Sequence, residues 1–149
     1  ALIGMIYGRT HTRDIREMGG LMRVMPFLGV CFVIAGLASL GLPGLSGFVA
    51  EMTVFVGSFE HTDTFHRFFT ILATTSIVIT AVYVLRMVGK LLYGAVQNPE
   101  HLKLTDATFS ERFSVATLIV AIAGLGMVPL WVSDMISYSL IPVIEQLTR

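Results

Sequence analysis

The stretch "GLPGLSGFVAE", residues 41–51, interrupts a long apolar run. Between Val24 and Phe59, its Glu51 is the only charged residue. Proline removes a backbone donor and clashes with the preceding helical turn, whereas glycine permits unusual backbone angles and close approach. The pattern therefore predicts a helix that is broken in the middle and carries an acid just beyond the break. Its predicted helix-breaking residues are Gly41, Pro43, Gly44 and Gly47.

The composition of the chain is that of a membrane protein. Of its 149 residues, 54% are hydrophobic and 13% are charged, whereas about 25% are charged in an ordinary soluble domain. The mean hydropathy is +0.79. We therefore expect an integral membrane protein. The formal net charge is zero and Lys and Arg form no block, which argues against binding to nucleic acid.

Apolar segments predict an all-α, polytopic transmembrane helix bundle with one discontinuous helix. A spanning helix needs about 20 apolar residues. The apolar segment 26–59 is too long for one straight span, so two offset half-helices with a break near 42–47 are expected. The predicted order is the end of a truncated helix at 1–8, a loop at 9–25, the broken helix at 26–59, a helix at 68–93, a loop at 94–112, and a helix at 113–132 with an extension toward 144.

The first eight residues, "ALIGMIYG", lack the basic region and the cleavage site of a signal peptide. They resemble the tail of a membrane helix. We therefore expect the chain to be a C-terminal fragment of a longer protein with a single membrane domain.

Positive charges predict the orientation in the membrane. Loops on the cytoplasmic side carry an excess of Lys and Arg. The loops 9–25 and 94–112 are therefore expected in the cytoplasm, and the turn 60–67 and the C-terminus on the other side. Two regions contain eight of the ten basic residues: Arg9, Arg13, Arg16, Arg23, Arg86, Lys90, Lys103 and Arg112.

Glu51 is the candidate proton-transfer group. It precedes Phe59 by eight residues, or about 12 Å of helical rise, which places it near the middle of the bilayer. A charge there costs at least about 2.5–3.5 kcal/mol, and the proton affinity of such a carboxyl depends strongly on hydration and on neighbouring charges. Two alternatives remain open: a break that only aids helix packing, and a Glu51 that only bonds to a neighbouring helix.

Three further residues are candidates for a proton relay with Glu51. The hydroxyls of Ser46 and Thr53 could extend a hydrogen-bonded water chain, or could bond back to their own helix. Arg86 could act as a relay charge. It shares a helix face with Lys90, and both side chains could instead extend to the cytoplasmic interface.

The remaining reactive side chains suggest no further site. Cys31, the only cysteine, is expected to be a small buried hydrophobic residue. No metal-binding spacing and no Walker, HExxH, GxGxxG or GxSxG motif is found in the sequence. The four histidines are expected in solvated loops: His11, His61, His66 and His101.

Two stretches carry a resemblance to a known family. "GRTHTRDIREMGGLMRVMP", residues 8–26, resembles the "TRD…GG…MP" loop of the antiporter-like membrane subunits of respiratory complex I. "ASLGLPGLSGFVAEMTVFVGSF", residues 38–59, resembles their discontinuous twelfth transmembrane helix. The resemblance covers essentially the whole chain. It implies the end of helix eleven followed by helices twelve to fourteen.

The resemblance implies a role for Glu51. It stands at the ionisable position of helix twelve, where some members of the family carry Lys, and it would be the last proton-binding site before release to the outside. Leu45 departs from the family, which often has Thr or another small residue there. The family's other ionisable residues would lie upstream of Ala1.

The resemblance also implies the setting of the chain. It would be a non-catalytic, proton-pumping subunit of an NADH:quinone oxidoreductase complex, without a redox centre, in the bacterial inner membrane. NADH, FMN, iron–sulfur clusters and quinone would be bound by partner subunits, and neighbouring membrane subunits and the lipid bilayer would surround the chain. Multisubunit cation/proton antiporters and membrane-bound hydrogenases share the fold, and a purely structural membrane subunit is a further alternative.

Overall fold

The computed structural model describes residues 1–60, 63–96, 98–131, 133–136 and 140, and all regular structure in these residues is helical. The predicted all-α fold with a discontinuous helix is confirmed. Beyond the last complete helix, residues 129–131 and 133–136 are again helical. The elements are α1 (Leu2–Thr10), α2 (Leu21–Val24), α3 (Pro26–Ser39), α4 (Ser46–Phe59), α5 (Thr64–Tyr93), a 3-10 helix (Pro99–Lys103) and α6 (Phe109–Met127).

The broken helix differs from its predicted form only at the break. Helix α3 begins at Pro26 and α4 ends at Phe59, at the predicted outer limits. The non-helical segment is 40–45, whereas 42–47 was expected. The predicted break is two residues late because Ser46 and Gly47 already belong to the first turn of α4.

Local chemistry explains the other differences. Helix α6 begins at Phe109, before the predicted 113, because Thr108 and Glu111 form a reciprocal capping box. The helical conformation is interrupted at Val128, just before Pro129. The expected extension toward 144 lies mostly outside the described residues.

The predicted loop 9–25 is partly helical and partly buried. Helix α1 continues two residues past its predicted end, to Thr10, and α2 occupies 21–24. Helix α5 starts four residues earlier than expected, at Thr64.

The main apolar core lies at the end of the bundle where α3 begins and α5 ends. It consists of Ile6, Met18, Leu21, Met25, Leu28, Phe32, Val84, Val88, Leu91, Leu92 and Ala107.

Two glycines let this loop touch the segment that follows α5. A Cβ atom at Gly19 would collide with the carbonyl oxygen of Ala95 and lie 3.0 Å from its carbonyl carbon. Gly20 has a φ of +67°, and a Cβ there would lie 2.6 Å from Cγ2 of Val96. Glycine is therefore required at Gly19 by backbone contact and favoured at Gly20 by its conformation.

Arg9 joins α1 to the start of α6. Its guanidinium donates to both carboxylate oxygens of Glu111, at 2.6 and 3.2 Å. It also donates to the carbonyl oxygens of Thr105 and Asp106, at 2.8 and 3.3 Å. The Arg9 side chain is only 14% exposed. A bidentate, partly buried pair of this kind fixes geometry more firmly than an exposed ion pair.

Asp106 caps α3 from a distant part of the chain. Its carboxylate accepts hydrogen bonds from the backbone amides of Phe27 and Leu28, at 3.0 and 3.4 Å. These amides lie in the first turn of α3, where they have no partner inside the helix. Arg112 lies 3.6 Å from the same carboxylate. The loop before α6 therefore anchors the start of α3.

The other half of the bundle turns its apolar side chains outward. Helix α4 has no buried residue, and α6 has only Val115. Helices α5 and α6 are long and apolar enough to cross a membrane, and few of their side chains are buried. The core helix of a soluble protein would bury such residues. Outward apolar faces of this length suit contact with lipid or with other membrane helices.

The cysteine and the histidines give a mixed outcome. Cys31 is buried, as predicted, and His11 is exposed. His66 lies within α5 and not in a loop. The prediction for His101 was wrong, because the 3-10 helix packs against α2 and leaves this side chain only 5% exposed. His61 lies outside the described residues.

We predict that Asp106→Ala destabilises the protein. The substitution leaves two amides of the first turn of α3 without their acceptor, and loss of such a cap costs about 0.5–2 kcal/mol. The thermal unfolding midpoint of the full-length protein in detergent should fall by several degrees. The control is Glu100→Ala, an exposed acid of the same loop. Equal midpoints for the two variants would contradict the capping role.

We predict that Gly19→Ala is also destabilising, because the new methyl group collides with a backbone carbonyl that cannot rotate away. Forced backbone shifts typically cost about 1–3 kcal/mol. Gly8→Ala is the control, since a Cβ there meets nothing within 4 Å and alanine favours the helix. Thermal unfolding of both variants measures the difference, and an unchanged midpoint for Gly19→Ala would refute the contact.

Candidate functional site

Helix α3 ends in a Schellman motif centred on Gly41. The amide of Gly41 donates to the carbonyl of Ala38 at 3.2 Å, and the amide of Leu42 donates to the carbonyl of Leu37 at 3.4 Å. Gly41 has a φ of +65°. This left-handed conformation is the usual one at the residue after a helix C-cap, where glycine is preferred. The first predicted breaking residue therefore ends the helix and satisfies its last carbonyls.

Pro43 and Gly44 form the turn that follows. The amide of Leu45 donates to the carbonyl of Leu42 at 3.2 Å, and Gly44 has a φ of +93°. Proline at the second position and a glycine with positive φ at the third are the features of a type II turn. The chain then enters α4 at Ser46.

Gly47 brings the two half-helices into backbone contact. A Cβ atom at this position would collide with the carbonyl oxygen of Ala38 and would lie 3.6 Å from Cα of Gly41. The last turn of α3 and the first turn of α4 are therefore separated by no side chain. Of the four predicted breaking residues, three act through conformation and Gly47 acts through close approach.

The Glu51 carboxylate lies against Gly41. A Cβ atom at Gly41 would meet Oε2 of Glu51 and would lie 2.9 Å from its Cδ and 3.3 Å from its Oε1. Side chains on a helix lean toward its N-terminus, which explains why Glu51, in the second turn of α4, reaches back to the break. The structure thus brings together the two ends of the stretch 41–51.

The surroundings of Glu51 leave its carboxylate without a fixed partner. The side chain is partly buried. In the part of the chain that the structure describes, no hydrogen bond and no ion pair is found to its oxygens. The start of α4, with the positive end of its helix dipole, faces the same break. Among the described residues, the carboxylate is therefore placed by its contact with Gly41 and not by a salt bridge.

The candidate relay residues are placed differently from one another. Ser46 is the first residue of α4, directly at the break. The Thr53 hydroxyl donates to the carbonyl of Val49 at 2.7 Å. Of the two alternatives for this hydroxyl, the structure therefore has the bond to its own helix. Thr53 and Arg86 are exposed, and the ion pairs found among the described residues do not join Arg86 to Glu51.

The position of Arg86 along the bundle follows from the packing of its neighbours. Its neighbours Val84 and Val88 both pack on Gly36, where a Cβ would lie 3.5 and 3.2 Å from their methyl groups. Gly36 follows Pro26, the first residue of α3, by ten residues, or about 15 Å of helical rise. The backbone of Arg86 is therefore level with the last turns of α3.

Sequence reasoning missed one residue that touches the break. Gly126 in α6 lies so close to the turn that a Cβ atom there would be 2.5 Å from Cα of Leu45 and 2.6 Å from the carbonyl oxygen of Gly44. The "GLG" at 124–126 is the only sequence signal, and it resembles the small residues that are common in membrane helices.

No group of three or more His, Cys, Asp or Glu that could hold a metal ion is found among the described residues.

Known proteins resemble this chain over its two motifs and beyond. The sequence profile of the family described as NADH:quinone oxidoreductase/Mrp antiporter, transmembrane, matches residues 1–80. The protein named NAD(P)H-quinone oxidoreductase chain 4 in Acaryochloris marina is 42% identical over 134 residues, which cover 86% of this chain and 25% of the relative. The protein of the same name in Gloeobacter violaceus is 37% identical over 153 residues, which cover 99% of this chain and 28% of the relative.

A third relative, NAD(P)H-quinone oxidoreductase chain 4 1 of Trichormus variabilis, is 40% identical over 140 residues, which cover 90% of this chain and 26% of the relative. The chain thus spans about a quarter of the length of these curated relatives. The predicted resemblance to the antiporter-like subunits is confirmed. Because the profile covers more than half of the chain, including the broken helix and Glu51, the chain belongs to the NADH:quinone oxidoreductase/Mrp antiporter transmembrane family.

Proposed function

We propose that this chain is part of a proton-translocating membrane subunit of an NADH:quinone oxidoreductase, in which Glu51 binds and releases the transported proton. The observation that carries the proposal is the position of the Glu51 carboxylate against Gly41, at a helix break. Family membership supports it, as do the names of the relatives, which are chain 4 of NAD(P)H-quinone oxidoreductases. Chain 4 is also called chain M, and it is the type of family member that Glu at the position of Glu51 implies.

The helix lengths support three membrane spans, one of them broken. Helices α3 and α4 have 14 residues each, or about 21 Å, which is too short for a hydrocarbon core of about 30 Å. Joined at the break, they form one span whose interruption lies inside the membrane. Helix α5 has 30 residues and α6 has 19, or about 45 and 28 Å, so each can form a span by itself.

Contacts between the basic loops support the proposed orientation. Arg9, at the end of α1, donates hydrogen bonds to Thr105, in the segment before α6, and to Glu111, in the first turn of α6. The two basic regions 9–25 and 94–112 therefore lie at the same end of the bundle. An excess of Lys and Arg at one end marks the cytoplasmic side. In this arrangement α4 ends and α5 begins on the opposite side, and the broken helix leads from the cytoplasmic side to Glu51 and beyond.

The break supplies what a proton carrier needs. An ionised carboxyl in the middle of a membrane costs at least about 2.5–3.5 kcal/mol, so small changes in hydration or charge shift its protonation. The N-terminus of a half-helix lowers that cost for an anion. Glu51 can therefore take up a proton when the break is dry and release it when water or a positive charge approaches.

Ser46 and Arg86 are proposed to tune Glu51. Ser46 is the residue at which α4 begins, and its hydroxyl can bond to water that enters the break. Arg86 lies level with the last turns of α3, so its charge is within about two helical turns of the break along the membrane normal. A cation at that depth is costly unless it is paired or hydrated. Thr53, with its hydroxyl bonded to Val49, is the weakest relay candidate.

The proposal assigns the redox chemistry to other subunits. NADH, FMN, iron–sulfur clusters and quinone would be bound by partners, and neighbouring membrane subunits would transmit the energy of electron transfer to this chain. The bacterial inner membrane is the proposed location. This chain would contribute the carboxylate, the backbone of the break, and the helices that exclude lipid from both.

We predict that Glu51→Gln abolishes proton transport through this subunit without preventing assembly. The amide has the shape of the carboxyl but cannot exchange a proton, and it removes the cost of an intramembrane charge. The experiment uses inverted membrane vesicles that contain the full-length protein in its complex. NADH-driven acidification, electron transfer to quinone and the amount of assembled complex are measured together, and the number of protons moved per electron should fall.

The control is Glu60→Gln, an exposed acid at the opposite end of α4, which should leave the proton yield unchanged. An unaltered yield in Glu51→Gln would refute the proposed role. Loss of assembly in Glu51→Gln would favour a structural subunit. Sodium-dependent proton exchange without NADH would favour a cation/proton antiporter that uses the same fold.

A further inference from the structure

The turn between the two half-helices is in backbone contact with α6. A Cβ atom at Gly126 would lie 2.5 Å from Cα of Leu45 and 2.6 Å from the carbonyl oxygen of Gly44, and would also collide with the carbonyl carbon of Leu45. Real Cβ atoms do not approach backbone this closely. Since the neighbouring atoms are backbone, no rotation of a side chain can make room. Any side chain at Gly126 must move either α6 or the turn.

Helix α6 is held at its other end. Thr108 and Glu111 form its capping box, and the Glu111 carboxylate also accepts two hydrogen bonds from Arg9 of α1. Gly126 follows Glu111 by fifteen residues, or about 22 Å along a continuous helix. Because its first turn is fixed, α6 cannot easily slide along its axis. Room for a side chain at Gly126 must therefore come from a sideways movement of the end of α6 or from displacement of the turn, and either movement disturbs the support that α6 gives to the turn.

The position of this turn determines where the Glu51 carboxylate lies. Three residues separate Gly41, which contacts that carboxylate, from Leu45, which contacts α6. The turn bond from the amide of Leu45 to the carbonyl of Leu42 makes this segment compact. A shift at Leu45 is therefore transmitted to Gly41, and it changes both the contact with Glu51 and the space for water at the break.

We propose that Gly126 is a positioning residue: by allowing backbone contact with the turn, it lets α6 hold the break in the conformation that places the Glu51 carboxylate against Gly41. This inference rests on the proposed role of Glu51 for its effect on transport. The positional part stands on geometry alone and can be measured separately.

The chain offers a matched control two residues away. A Cβ atom at Gly124 would meet nothing within 4 Å. Gly124→Ala and Gly126→Ala add the same methyl group to the same helix and raise its helix propensity in the same way. Only Gly126→Ala touches the turn. A difference between the two variants therefore reports the contact and not the chemistry of the substitution.

The first experiment compares proton yield. The two variants of the full-length protein are assembled in their complex in inverted vesicles, and protons moved per electron are measured across a range of pH. Gly126→Ala should lose proton yield, and the pH of its half-maximal yield should shift, because the surroundings of Glu51 change. Gly124→Ala should match the unmodified protein. Identical yields and pH profiles for the two variants would overturn the effect on transport.

The second experiment measures the position of the turn without using transport. Hydrogen–deuterium exchange is followed in the full-length protein in detergent at three amides of the break, those of Gly41, Leu42 and Leu45. They donate to the carbonyls of Ala38, Leu37 and Leu42, respectively. In Gly126→Ala these amides should exchange about tenfold faster than in Gly124→Ala. Equal exchange would overturn the proposal, even if Gly126→Ala fails to assemble. If Glu51→Gln leaves transport unaltered but exchange still differs, the proposed function fails and the positioning role remains.

Discussion

Backbone groups freed inside a membrane must find partners in the protein, and this constraint governs the interruption between α3 and α4. Lipid offers such groups no hydrogen-bond partners. The chain meets the constraint with two local devices, a Schellman motif at Gly41 and a turn at Pro43 and Gly44. Each device bonds an amide of the break to a carbonyl a few residues earlier. The break can thus exist as an ordered element between two short helices.

Contacts in which glycine allows backbone to touch backbone occur at two places in the bundle. At the end where α3 begins and α5 ends, Gly19 lies on the carbonyl of Ala95, and at the break, Gly126 lies on the turn at Leu45. Hydrophobic burial contributes little to helix association in lipid, so close packing and polar bonds carry it. The ion pair between Arg9 and Glu111 and the cap formed by Asp106 supply those polar bonds outside the apolar region.

The same features explain how a costly carboxylate is retained. Glu51 lies at a place where two helix ends face one another, close to the positive end of the α4 dipole and against a glycine with no side chain. The surrounding backbone is held by its own hydrogen bonds and by α6, so the carboxylate need not contribute to folding. In the proposed function, this is the group that would bind and release the transported proton.

The sequence by itself determined the helical class, the membrane composition, the outer limits of the broken helix, and the chemistry of its break, because proline, glycine and a lone acid act through local backbone geometry and through the cost of burial. The tertiary structure alone decided which distant residues meet. Asp106 caps a helix 79 residues earlier in the chain, His101 is buried by packing against α2, and Gly126 contacts the turn from another helix. Local patterns carry no information about such pairs, since a contact between remote segments depends on how whole helices pack.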